Sequence, residues 1–84
     1  MTADPPDVHT WLTERVARYL RRAPEEIDTT VPMAVYGLDS LTALAISNDI
    51  EDEFEIELAP DTTWEHPTVD ALSKMLVALI EEKA

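Results

Sequence analysis

The chain has 84 residues, one glycine and no cysteine, which is enough for a single domain built around one core but leaves no room for a deep, walled active site. The missing cysteines exclude a disulfide framework, a zinc knuckle and a thiol nucleophile, and suit an intracellular setting. The net charge of -12 is unevenly spread: residues 1–23 hold four arginines against three acids, whereas residues 24–84 hold two lysines against fifteen acids. Such a surface disfavours nucleic acid and anionic membranes and favours basic protein patches, and it also keeps a small domain in solution.

The N-terminus, Met1 to Pro6, lacks the basic and apolar stretches of a signal peptide and is expected to be disordered. No apolar run approaches the ~20 residues of a bilayer span, so the protein is expected to be soluble and cytoplasmic; a monomer is the expected oligomeric state. Asp7 is placed to cap a first helix reaching about Arg22, with Val8, Leu12, Val16, Tyr19 and Leu20 on its apolar side. Trp11 lies at the edge of that stripe, and Arg15, Arg18 and Arg22 form what reads as a solvated flank. Ala23-Pro24 ends the helix, because proline cannot donate the next bond and its predecessor is pushed out of helical angles.

Residues 24–38 interleave turn formers with Ile27, Val31, Met33, Val35 and Tyr36, the pattern of a long, ordered and packed loop. Gly37 closes it with a tight turn that presents Asp39 and Ser40. Both are N-cap residue types, and only one is needed to satisfy the first amides of a helix. The second helix is expected over about Ser40 to Phe54. Ala43, Ile46, Ser47, Ile50 and Phe54 form its core face, while Leu41, Leu44, Ala45, Asn48, Glu51 and Asp52 lie opposite. That outer face starts apolar beside Ser40 and turns acidic, as a partner-recognition surface would. Its acids also crowd the end of the helix where the dipole disfavours them.

Asp61 to Trp64 suits one short helical turn, and Thr68 can cap a last helix with Val69, Leu72, Leu76, Leu79 and Ile80 inward and Met75 at the margin. The fold class is all-α, three main helices and one short helix in a single domain spanning 1–84. Catalytic readings fail on the residues present. Ser40 lacks the flanking glycines of a nucleophile elbow, and no spacing links it to His9 or His66. His66 reads as a packing or capping residue in the turn before the last helix. The acidic stretch from Asp49 to Glu57 has no central glycine and is helical in period, so neither a calcium loop nor another metal site is expected.

The run Gly37-Leu38-Asp39-Ser40-Leu41, the acidic close Glu51-Asp52-Glu53-Phe54 and the turn Trp64-Glu65-His66-Pro67-Thr68 resemble the acyl carrier proteins, most of all carriers of polyketide synthases. The resemblance covers most of the chain and implies a non-catalytic shuttle. It implies that Ser40 accepts 4'-phosphopantetheine from coenzyme A through a magnesium-dependent phosphopantetheinyl transferase. Asp39 would assist that transfer, its alternative role being a plain cap. The arm would hold acyl or polyketide groups as thioesters, and Leu41, Leu44, Ala45, Asn48, Glu51 and Asp52 would meet the transferase, the acyl-loading enzyme and a ketosynthase in turn. Leu38, where peptidyl carriers commonly have a second glycine, favours an acyl over a peptidyl or aminoacyl carrier. The acidic second helix and the ends at Met1 and Ala84 suggest a free-standing carrier of a secondary-metabolite pathway. An unmodified acidic adaptor, with Ser40 only a cap, is the reading from a different class.

Overall fold

In the computed structural model, which describes residues 5–83, four helices follow one another: α1 (Pro5–Leu20), α2 (Ser40–Phe54), α3 (Thr62–Glu65) and α4 (Val69–Lys83). Among the described residues there is no strand, in keeping with the all-α expectation. The long loop contains two 3-10 turns, Pro24–Glu26 and Met33–Tyr36. Of the expected disorder at residues 1–6, residues 1–4 lie outside the described residues. Pro5 and Pro6 instead open α1, three residues earlier than a cap at Asp7 would allow. Proline suits that place, because its fixed φ is helical and an N–H there would have no intrahelical acceptor.

α1 also stops short of Arg22. Arg21 takes a left-handed conformation with φ 58°, its amide donates to the Arg18 carbonyl at 3.3 Å, and the Arg22 amide donates to the Ala17 carbonyl at 2.9 Å. This paired closure is the Schellman arrangement, formed here around an arginine where glycine is usual. The helix is thus already closed before Pro24, which begins the first 3-10 turn.

α1 packs chiefly against α4, and α2 closes the bundle. Val8, Leu12, Val16 and Ala17 from α1, Ala43, Ile46 and Ile50 from α2, and Val69, Leu72 and Leu76 from α4 make one buried core. Tyr19, expected within this core, lies instead on the surface, where its hydroxyl donates to the Asp49 carboxylate at 2.7 Å. The phenol is more cheaply satisfied by a charged acceptor at the helix boundary than by burial. Arg15 is likewise no solvated flank: its guanidinium meets the same Asp49 carboxylate at 2.9 Å, with both side chains about three-quarters buried. It also lies over the Trp11 ring at 4.8 Å, and Trp11 meets Phe54 edge-on at 5.1 Å. α1 and α2 are therefore joined by an ion pair and a phenol hydrogen bond, both at Asp49, and by one aromatic contact.

The loop is packed, as its pattern suggests, but through fewer residues. Ile27, Met33 and Leu38 are buried, whereas Val35 is 70% exposed. The tight 3-10 turn from Met33 to Tyr36 buries Met33 and turns Val35 outward. Two main-chain hydrogen bonds tie the loop to the entrance of α4, from Met33 N–H to the Pro67 carbonyl at 2.8 Å and from Asp70 N–H to the Thr29 carbonyl at 3.0 Å. Thr68 caps α4 as expected, its hydroxyl accepting from the Ala71 amide at 3.0 Å.

Candidate functional site

Gly37 adopts φ 100°, a left-handed conformation that favours glycine, and a Cβ added there would meet nothing within 4 Å. The constraint is therefore on the backbone, with open space beside it. The Gly37 amide donates to the Ala34 carbonyl at 3.0 Å and that of Leu38 to the Met33 carbonyl at 3.3 Å. Leu38 then turns into the core and anchors the end of the loop.

The two cap-type residues divide their roles. Asp39 is the N-cap of α2: its carboxylate accepts from the Thr42 amide at 2.8 Å and its carbonyl from the Ala43 amide at 2.8 Å. The Thr42 amide, and after it the Thr42 hydroxyl, hold the Asp39 carboxyl below the usual carboxylate range. Ser40 is the first residue of the helix and is exposed, and among the described residues its hydroxyl has no hydrogen-bond partner. A hydroxyl at the start of a fifteen-residue helix meets the positive end of the dipole, which favours an attached phosphodiester. Exposure, an uncommitted oxygen and the open flank of Gly37 all fit a phosphopantetheinyl group.

Beyond the serine, Leu41 is 77% and Leu44 55% exposed on the face opposite the core. Ala45 is half-buried, and Asn48 and Asp52 are exposed along the same helix. Glu51 differs: it is half-buried, and its carboxylate accepts from the Leu58 amide at 2.9 Å, bracing the connection after α2. The acids at the end of α2 find other compensation as well. Asp49 serves Arg15 and Tyr19, and the Lys83 ammonium of α4 donates to the carbonyls of Glu55 and, at 3.5 Å, Phe54. The cation the dipole calls for comes from another helix.

Two exposed apolar residues here were not among the candidate site residues read from the sequence. Val35 projects from the turn just before Gly37, and Trp64 stands on α3, which is joined to α2 by a 3.3 Å contact between the Ser47 and Thr63 hydroxyls. A lone valine or tryptophan carries no periodic signal in so short an element. His66 is half-buried in the turn before α4 and does not meet Ser40. His9, distant in sequence, bonds the Asp70 carboxylate at 2.8 Å on another part of the bundle. Among the described residues no group of histidine and acidic side chains could hold a metal ion, and no helix is long and apolar enough to cross a membrane.

Residues 10–76 match the family described as phosphopantetheine attachment site. The chain belongs to this family. Its members are non-catalytic carriers bearing covalently attached 4'-phosphopantetheine. Among similar proteins, the polyketide synthase PksN of Bacillus subtilis is 35% identical over 69 residues, 82% of this chain and 1% of the synthase. The chain spans between 1% and 4% of the length of the first polyketide synthases it matches. A free-standing peptidyl carrier protein from an Acinetobacter baumannii secondary metabolic pathway shares 39% identity at a TM-score of 0.85, with 89% of this chain and 94% of that one covered. The acyl carrier protein LipD of Actinoplanes friuliensis, also 39% identical, aligns at a TM-score of 0.78 over 94% of this chain and 88% of its own.

Proposed function

We propose that Ser40 is the attachment point of the phosphopantetheinyl group and that the carrier serves acyl or polyketide intermediates. The observation that carries this reading is the division of labour at α2. Asp39 satisfies the helix start, and the adjacent Ser40 hydroxyl stays exposed and uncommitted within the family-matched segment. When bound, the group supplies a thiol, absent from this cysteine-free chain, that holds acyl groups as thioesters.

The remaining chemistry belongs to the chain itself. The start of α2 favours the phosphodiester charge, Gly37 leaves room beside it, and Asp39 keeps the first turn ordered while offering a carboxylate to the transferase. Leu41 and Leu44, followed by Asn48 and Asp52, form the face presented to the transferase, the acyl-loading enzyme and a ketosynthase with basic docking patches. Ala45 lies at its edge, and Glu51 supports it from the side by holding the Leu58 amide.

Intact-mass measurement after incubation with coenzyme A, magnesium and a broad-specificity transferase tests the attachment. The wild-type chain is expected to gain one phosphopantetheinyl unit and Ser40→Ala none. Failure of the folded wild type to gain it with an active transferase, or gain by Ser40→Ala, overturns the assignment. A peptidyl cargo is the second reading, favoured by the likeness to the free-standing peptidyl carrier. Loading of the modified chain by an amino-acid-adenylating enzyme, with none by an acyltransferase, would decide for it.

A further inference from the structure

Six basic side chains stand against eighteen acids, and among the described residues two of the six have a hydrogen-bonded partner within the chain. Arg15 pairs with Asp49 and Lys83 donates to the carbonyls ending α2, while Lys74 stands singly, exposed on α4. The other three, Arg18, Arg21 and Arg22, are exposed together at the end of α1, and among the described residues none forms an ion pair. Acids are at hand: Glu25 and Glu26 follow after Ala23-Pro24, yet Glu26 accepts from the Ala23 amide at 2.7 Å, not from an arginine.

A role limited to offsetting the α1 dipole does not account for this cluster. The carbonyls of Ala17 and Arg18 are already bonded by the amides of Arg22 and Arg21, and one cation in the last turn would serve. Arg21 moreover occupies the left-handed position that favours glycine. Arg22 lies over the Tyr36 ring at 5.2 Å, and the Tyr36 hydroxyl accepts from the Asp28 amide at 2.9 Å. That contact sets one guanidinium against the loop that leads to Ser40.

We infer that Arg18, Arg21 and Arg22 form a docking surface, separate from the α2 face, for a short acidic segment of a partner protein. The charge of the rest of the molecule selects the occupant. Beyond a Debye length of about 8 Å the cluster is hidden within a strongly negative field. A uniformly anionic polymer or bilayer is therefore repelled, whereas a local acidic stretch on an otherwise neutral or basic protein is not. A partner with a basic patch for α2 and an acidic one for the end of α1 would receive the carrier in a single orientation.

The test is titration of the 15N-labelled full-length chain with a blocked peptide carrying three consecutive glutamates between neutral glycine-serine segments, at low and at physiological salt, followed by amide NMR. Saturable shifts are expected at Arg18, Arg21, Arg22 and Tyr36, weakening as salt rises. The Arg18→Gln/Arg21→Gln/Arg22→Gln variant should bind about tenfold more weakly. The corresponding triple lysine variant keeps the charge and should retain the shifts. Arg22→Gln alone should show a partial loss, which keeps the test open if the triple glutamine variant does not fold. The proposal is overturned if low-salt shifts are absent from this cluster or persist unchanged in the folded glutamine variants. Equal or tighter binding of a single-stranded DNA oligonucleotide or of phosphatidylglycerol vesicles overturns it as well.

Discussion

At the entrance to α2 a carboxylate and a hydroxyl stand side by side, and only the first is tied to the backbone. Substitutions there should separate accordingly. Asp39→Ala loses the cap and should visibly lower the melting temperature, whereas Ser40→Ala, which removes an exposed oxygen, should leave stability within ~0.5 kcal/mol. Differential scanning calorimetry of the two variants checks this. Asp70 provides a pH-dependent case. The His9 ring bonded at 2.8 Å, and after it the Thr29 hydroxyl, hold its carboxyl below the usual range. A depressed folded value means that this contribution is complete above the unfolded aspartate pKa of about 3.9 and fades as pH falls through the folded value. Melting curves of wild type and Asp70→Asn should therefore differ at neutral pH and converge in acid. A gap that persists unchanged down to about pH 2 would contradict the assignment.

Helix by helix, local signals proved most legible where caps and period agree. α2 begins at Ser40 and ends at Phe54 as the Asp39 cap and the apolar spacing of Ala43, Ile46 and Ile50 require, and α4 follows its Thr68 cap. The start of α1 was misjudged because Asp7 and Pro5 both suit a helix entrance, and the prolines take it. Tyr19, Arg15 and Asp49 could not be assigned from periodicity. Their bonds join positions 30 and 34 residues apart, and nothing local announces such partners. Val35 was misjudged for a related reason, since a 3-10 turn buries one residue and exposes a neighbour two positions on. The helix faces themselves make a direct prediction. Leu76→Ala, at a fully buried position, should cost about 2–5 kcal/mol, whereas Leu44→Glu should cost less than ~0.5 kcal/mol in urea unfolding and instead weaken enzyme docking. Arg15→Ala should cost about 1 kcal/mol, the size of a partly screened pair, and leave Asp49 to Tyr19 alone.

Over the whole molecule, a net charge of -12 is spread on a body whose radius of gyration is 11.7 Å. Self-repulsion at that density opposes folding, and salt relieves it. The melting temperature should therefore rise between low and physiological ionic strength, while association with a basic enzyme surface through α2 should slow over the same range. Stopped-flow kinetics beside thermal melts would show the two trends running in opposite directions. The acidity was plain from composition, but the way it is spent was not. Asp49, Glu51, Asp70 and Glu26 are committed to internal partners, and Asp52 is left exposed on the outer face.

The two bonds that fasten the long loop to the entrance of α4, Met33 to Pro67 and Thr29 to Asp70, run from main chain to main chain. Any residue except proline at the two donor positions can make them. The loop's attachment is therefore indifferent to most changes in its side chains, and the outward positions, Val35 above all, are open to drift. Copies of such a domain could diverge in the surface shown around the serine while inheriting the same frame, so that new partnerships arise without the scaffold being rebuilt.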